Sequence, residues 1–179
     1  MDGNADRGSQ PPSTTRQGDE MGIVWPEHFA PANCPIHVRN EIAIAAPPER
    51  VWAWLARAQR WPSWYANAAN VTFLDGAPPD LGAATRFRWR TFGVTITSTV
   101  REHAPPFRLA WDATSFGVEA YHAWLITPTA EGCHVLTEET QHGFLARLGA
   151  LAMPRRMWRY HQVWLESLRD RALGGLPPC

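Results

Sequence analysis

The amino-acid sequence predicts an α+β domain in which a curved antiparallel sheet wraps around a long C-terminal helix. Apolar and polar residues alternate with a period of two through about seven segments, the pattern of half-buried strands. Most consecutive segments are joined by short connections, which favours an antiparallel meander. Over about residues 144–173, a mainly apolar stripe then follows at helical spacing: Phe144, Leu148, Leu151, Trp158, Gln162 and Leu165. This last segment is the one element long enough to cover the concave face of the sheet.

The first elements are a strand and two short helices. Residues 36–44 alternate as a strand with one buried face. The segment 46–49, with the sequence Ala-Pro-Pro-Glu, ends the strand and starts a helix, because proline suits the first helical position and glutamate suits the first turn. This helix continues over residues 51–58, and residues 61–65 predict a second short helix.

The strand-rich middle of the chain is followed by the long helix. Pro154 lies inside that helix and should kink it or split off a first piece. Gly174 and Gly175 end it. The predicted strands cover residues 71–74, 85–91, 94–101, 107–111, 120–127 and 133–141.

The domain boundaries follow from composition. Residues 1–22 are polar and turn-rich, which predicts disorder, and residues 23–35 should form an irregular extension on the domain surface. A single domain then spans 36–175, with a tail at 176–179. The three cysteines form no Cys-x-x-Cys pair, so we expect reduced thiols and a cytoplasmic protein.

Composition excludes several classes of function. The chain has 179 residues, and 17 basic residues balance 17 acidic residues, which argues against nucleic-acid binding. Every basic residue is arginine, so lysine Schiff-base chemistry and a phosphate-loop lysine are excluded; this composition is typical of a GC-rich genome, and we expect a bacterial source. No apolar run approaches the roughly 18 residues of a membrane helix, so we expect no integral membrane association. No His/Cys spacing predicts a metal site, and we expect no cofactor.

The ten tryptophans predict either a heavy core or a cavity lined with rings. A strongly bent sheet and a straight helix cannot pack without a gap between them. The predicted architecture therefore favours a cavity at that position.

Several motifs resemble the START/SRPBCC superfamily, in particular its polyketide cyclase/dehydrase-like branch. They are IAAPPERVW at residues 44–52, WPSW at 61–64, VREHAPPFRL at 100–109, and Gly132 before a strand. The resemblance covers about residues 36–173. It implies a helix-grip fold with a cavity for apolar small molecules. Some members cyclise or dehydrate polyketides, some carry lipids and some assist chaperones, and the fold does not choose between these functions.

His122 and Glu139 are the candidate catalytic pair. His122 shares strand parity with Trp124, a parity that the resemblance implies to be buried, and Glu139 shares parity with Thr137 on the following strand. On neighbouring strands they could exchange protons. Burial would raise the carboxylate pKa and lower the imidazole pKa, while pairing would oppose both shifts. Two alternatives stay open: the opposite parity, which buries Tyr121, or a pair that only satisfies its own hydrogen bonds.

Further residues are candidates for ligand binding. Aromatic rings could stack on a flat ligand or serve as plain core, and Asn40 could bind a ligand carbonyl or satisfy neighbouring backbone. The complete set of candidates is Asn40, Trp64, Phe87, Trp89, Ser98, Trp111, Trp124, Trp158 and His161.

Three functions follow from these predictions. The first is binding of an apolar, aromatic or polyketide/lipid-like small molecule in the cavity. The second is a metal-independent cyclase, aromatase or dehydratase that uses His122 and Glu139 as acid and base. The third is a protein-interaction adaptor, for which Trp25, Phe29 or Leu176 could supply an exposed patch. The protein could be a monomer or a homodimer.

Overall fold

The structure, a computed structural model, describes residues 22–178. The predicted disordered extension lies outside the described residues except for Gly22, and so does Cys179 of the predicted tail.

In the part of the chain that the structure describes, one seven-stranded antiparallel sheet forms most of the domain. The spatial order is β1-β7-β6-β5-β4-β3-β2, so the first and last strands pair and the sheet stays open between β1 and β2. The register between β4 and β5 shifts at Val100–Glu102, an irregularity of the kind that bends a strand. The strands are β1 (Ile36–Ile44), β2 (Ala69–Phe73), β3 (Arg86–Thr91), β4 (Val94–Ala104), β5 (Arg108–Ser115), β6 (Val118–Thr129) and β7 (Gly132–His142).

Within residues 22–178, three α-helices accompany the sheet, and the predicted α+β class is confirmed. They are α1 (Pro48–Ala56), α2 (Phe144–Ala152) and α3 (Arg156–Gly174). Short 3₁₀ turns at Glu27–Phe29 and Pro31–Asn33 precede the sheet, and a third at Ala58–Ser63 follows α1. Among the described residues, no helix is both long and apolar enough to cross a membrane.

Pro154 splits the C-terminal helix into two pieces, as the sequence allowed. The single apolar stripe expected along 144–173 is wrong, because α3 starts afresh at Arg156 and its buried face has a new phase. Leu148 and Trp158 belonged to the expected stripe but are exposed. The buried face of α3 consists of His161, Trp164, Leu165, Leu168 and Ala172.

Aromatic rings fill the core between the concave face and helices α1 and α3. Trp61 is fully buried, and its ring centroid lies 5.2 Å from those of both Trp89 and Trp164. Trp164 also stacks on Tyr65 at 4.4 Å. Such ring pairs add to the stabilisation that comes from burial alone.

The N-terminal extension covers part of the convex face. Trp25 and Phe29 pack against Tyr121 at centroid distances of 5.8 Å and 5.6 Å, and the Thr140 hydroxyl donates to the Phe29 carbonyl. Trp25 and Phe29 are therefore half-buried instead of forming the exposed patch considered above. Leu176 remains exposed.

Gly132 allows the β6–β7 hairpin to approach β1. Its φ is +148°, and a Cβ there would clash with the Ile44 carbonyl oxygen. Only glycine fits this backbone contact. The contact lies next to the β1–β7 register, in which Ile44 is opposite Cys133.

We expect Trp61→Ala to lower the free energy of unfolding by about 3–5 kcal/mol, because it leaves a cavity at the centre of the aromatic core. Trp158→Ala is the matched control, since Trp158 is 50% exposed, and it should cost below about 1 kcal/mol. Urea denaturation measures both values. Equal losses for the two variants would contradict the central position of Trp61.

Candidate functional site

A cavity of about 250 Å³ lies between the concave face of the sheet, α2 and the first half of α3. Strands β3 to β7 and β1 supply one wall, and the two helices supply the other. The lining is mostly apolar and aromatic. Its polar side chains include His122, Glu139, Gln141, His161 and Arg156.

Three buried polar side chains meet at the sheet side of the cavity. His122 on β6 is opposite Glu139 on β7 in the strand register, and His161 comes from α3. The Glu139 Oε2 atom lies 3.2 Å from His122 Nδ1 and 3.1 Å from His161 Nε2. The two imidazole rings stack with centroids 4.8 Å apart. We call His122, Glu139 and His161 the buried triad.

The carboxylate of Glu139 is stabilised as an anion. Burial alone would raise its pKa, but the hydrogen bond from His161 and the neighbouring His122 hold the pKa below its usual range. Gln141 Nε2 donates to the other carboxylate oxygen. At Glu139, the hydrogen bonds and the neighbouring histidines therefore lower the pKa by more than desolvation raises it.

Desolvation has the largest effect on the pKa of His122. Burial lowers its pKa well below the usual value, although Glu139 acts in the opposite direction. Its ring packs against Trp111 and Trp124, at centroid distances of 4.9 Å and 5.2 Å. At neutral pH the site therefore combines a neutral His122 with an ionised Glu139.

A second contact orients His122. Its Nε2 atom lies 2.7 Å from Thr137 Oγ1, and the Thr137 hydroxyl donates to the Ala123 carbonyl oxygen at 3.2 Å. Donor atoms from the three members of the triad lie within 4.8 Å of one another, so these residues could hold a metal ion. His161 Nδ1 is buried and has no hydrogen-bond partner among residues 22–178.

Five of the predicted site residues line the cavity. They are the candidate catalytic pair and three of the predicted ligand-binding residues: His122, Glu139, His161, Trp89 and Trp111. The inward parity chosen for His122 and Glu139 is the one that the structure has. Their roles in binding or catalysis stay predictions.

Asn40, Ser98 and Trp158 do not line the cavity. The Asn40 amide donates to the Trp158 carbonyl and to Gln162 Oε1, and so connects β1 to α3. Ser98 accepts a hydrogen bond from Trp89 Nε1 within the core. Trp158 is half-exposed because the new phase of α3 turns it outward.

Three predicted aromatic residues also lie outside the lining, in the packed core. Phe87 is fully buried against Trp61, and Trp64 packs on Trp54. Trp124 lies behind His122, against the imidazole ring. These rings support the residues that line the cavity without reaching it.

Tyr65, Gln141 and Trp164 also line the cavity, although they were not among the predicted site residues. Trp164 follows His161 by one helical turn, so a stripe counted from Pro154 onward could have found it. The residues contributed by α2 were also missed, because the expected stripe kept one helical phase on both sides of Pro154. They are Leu145, Ala146, Gly149 and Ala150.

Comparison with known families gives a match over most of the chain. The profile of the family described as "Polyketide cyclase / dehydrase and lipid transport" matches residues 35–173. The chain therefore belongs to this family, and the resemblance found in the sequence is confirmed.

Solved structures share the fold. The chain is similar to the hypothetical protein jhp0584 from Helicobacter pylori, with 30% identity, a TM-score of 0.78, and coverage of 84% of this chain and 96% of that chain. It is also similar to TTHA0849 from Thermus thermophilus, with 21% identity, a TM-score of 0.62, and coverage of 78% and 98%.

A third similar structure is the di-domain ARO/CYC StfQ from the steffimycin biosynthetic pathway. The identity is 16% and the TM-score is 0.64, with coverage of 78% of this chain and 51% of StfQ. At this identity the likeness extends to the fold alone. A comparison with curated proteins finds none that matches.

We expect Glu139→Gln to lower the free energy of unfolding by about 2 kcal/mol, because its hydrogen bonds lose the carboxylate charge. Glu41→Gln is the matched control. Glu41 is an exposed β1 carboxylate paired with Arg39, so Glu41→Gln should lower the free energy of unfolding by no more than about 0.5 kcal/mol. Chemical denaturation followed by circular dichroism measures both. A Glu139→Gln variant as stable as the control would show that the hydrogen bonds gain nothing from the charge.

Proposed function

We propose that this protein binds an apolar, aromatic small molecule in the cavity between the sheet and helices α2 and α3. The observation that carries the proposal is the cavity of about 250 Å³, lined mainly by apolar and aromatic side chains with a few polar groups at one side. This combination is typical of ligand pockets. Membership of the family described above supports the same function.

The volume and the lining favour a ligand with more than one ring. An apolar cavity of about 150 Å³ accommodates benzene, so about 250 Å³ suits a ligand of about two fused rings. Trp89, Trp111 and Trp164 offer ring surfaces for stacking.

The polar side chains favour a ligand that also carries oxygen. Trp164 Nε1 is a buried donor without a partner among the described residues, and a ligand oxygen could accept a hydrogen bond from it. The buried triad adds further polar atoms at the same cavity. We therefore propose a hydroxylated or carbonyl-bearing aromatic ligand, such as a polyketide-like compound.

A catalytic role is the second candidate. It is favoured by the contact between Glu139 and two imidazole rings at the cavity wall. In a cyclase or dehydratase, His122 would move a proton while a linear polyketone closes a ring and loses water. Mass spectrometry of a linear β-polyketone incubated with the protein tests this role. A product with one water fewer, absent with His122→Asn, would support catalysis, and unchanged starting material would exclude it for that substrate.

An adaptor or lipid-carrier role is the remaining candidate. The outer face of α2 and its surroundings expose large apolar side chains next to the cavity. Such a patch is typical of interaction surfaces. The exposed residues are Phe116, Phe144, Leu148, Leu151, Met153 and Trp158.

A cytoplasmic location and a monomeric or homodimeric state stay predictions. Cys34 and Cys133 are free thiols, which supports a reducing compartment. Size-exclusion chromatography with light scattering measures the oligomeric state.

We expect 2-naphthol, a two-ring phenol, to bind one site per chain and to quench tryptophan fluorescence. Ala120→Phe should weaken binding about tenfold or more, because the new ring occupies the cavity beside His122. Ala43→Phe is the control, since Ala43 is an exposed residue of β1. Equal affinity of the wild type and Ala120→Phe would place 2-naphthol outside the cavity and contradict the proposal.

A further inference from the structure

We propose that the buried triad is a binding site for a divalent transition-metal ion, with His122 Nδ1, His161 Nε2 and Glu139 Oε2 as ligands. Two imidazoles and one carboxylate form a donor set that zinc and ferrous iron both accept. No sequence pattern indicated this site, because its ligands come from β6, β7 and α3, with no short spacing between them.

The distances suit one ion. Ligand atoms of a tetrahedral zinc site with bonds of about 2.0–2.1 Å lie about 3.3 Å apart. Glu139 Oε2 lies 3.2 Å and 3.1 Å from the two imidazole nitrogens, and donor atoms of all three side chains lie within 4.8 Å of one another.

The hydrogen bonds of Thr137 favour a lone pair on the coordinating nitrogen of His122. A carbonyl oxygen only accepts, so the single hydroxyl proton of Thr137 is used at Ala123. His122 Nε2 then donates to Thr137 Oγ1, and neutral His122 carries its lone pair on Nδ1. Metal-bound histidines typically donate a hydrogen bond from the N–H group of their second ring nitrogen in this way.

This arrangement leaves two acceptors in contact. The lone pair of His122 Nδ1 faces the Glu139 carboxylate at 3.2 Å, and such a pair repels unless a cation lies between them. A divalent ion bound by both atoms removes the repulsion and balances the buried carboxylate. His161 donates from Nε2 in the metal-free site, and when Nε2 binds the ion the neutral ring carries its proton on Nδ1 instead.

All three ligands also line the cavity, so an ion bound by them has access to a fourth ligand from that side. An oxygen atom of a cavity ligand suits this position, because such an ion polarises carbonyl and hydroxyl oxygens. The metal site does not depend on the identity of the organic ligand proposed above.

The test is a titration of chelator-treated protein with Co²⁺, followed by visible absorption, and with Zn²⁺, followed by calorimetry. We expect one ion per chain and a Co²⁺ spectrum without a thiolate charge-transfer band. Glu139→Gln and His161→Asn should each weaken binding about 100-fold or more, and Thr137→Val about tenfold.

Two surface histidines provide matched controls. His134 contacts Glu41 on the exposed side of β7, and His142 lies 3.1 Å from Cys34. His134→Asn and His142→Asn should leave the affinity unchanged. If either removes the binding, or if the wild type shows no saturable binding, the proposal is overturned.

A measurement on the wild type covers the case in which a triad variant fails to fold. Zn²⁺ should shift the ring ¹⁵N resonances of His122 and His161 and leave those of His103 and His134 in place. Shifts confined to the surface histidines would overturn the proposal. Binding of 2-naphthol to metal-free protein is measured in parallel, so the failure of either proposal is distinguished from that of the other.

Discussion

The Glu139 carboxylate lies inside an apolar domain, and its need for hydrogen-bond donors constrains the elements around it. A buried carboxylate is costly unless several donors satisfy it. Gln141 on the same strand and His161 on α3 donate to it, and His122 lies beside it on the neighbouring strand. The position of α3 over the concave face and the polar character of the cavity wall are therefore linked through one side chain.

The aromatic core holds this polar group in place. Trp164 and Trp124 pack on His122 with centroids 5.3 Å and 5.2 Å away, and Trp61 supports Trp164 from the other side. Large rings leave few alternative packings, so they fix the imidazoles in rigid surroundings. The same rings stop short of α2, and the space between them is the cavity.

The sheet and the two early helices could be predicted because they depend on local sequence pattern, whereas the inward parity of His122 was implied by the family resemblance. Even so, β6 is buried on both faces, since Trp25 and Phe29 cover Tyr121 outside while His122 faces inward. Hydrophobicity alone therefore does not show which set of alternating β6 residues faces the cavity.

The helix phase after Pro154 and the buried triad depend on tertiary packing. A stripe counted in one helical phase across Pro154 put Trp158 inside and overlooked Trp164. His161 was identified as a pocket candidate, but its contact with Glu139 joins residues 22 positions apart on different elements. Neither spacing nor periodicity reports such a contact.

The most direct test of the account is an NMR measurement of intermolecular nuclear Overhauser effects between 2-naphthol and the protein. The account predicts contacts from the naphthol ring protons to Trp164 and to the imidazole protons of His122 and His161. Contacts confined to the exposed side chains Leu148, Leu151 and Phe144 of α2 would contradict it, because they would place the ligand on the surface.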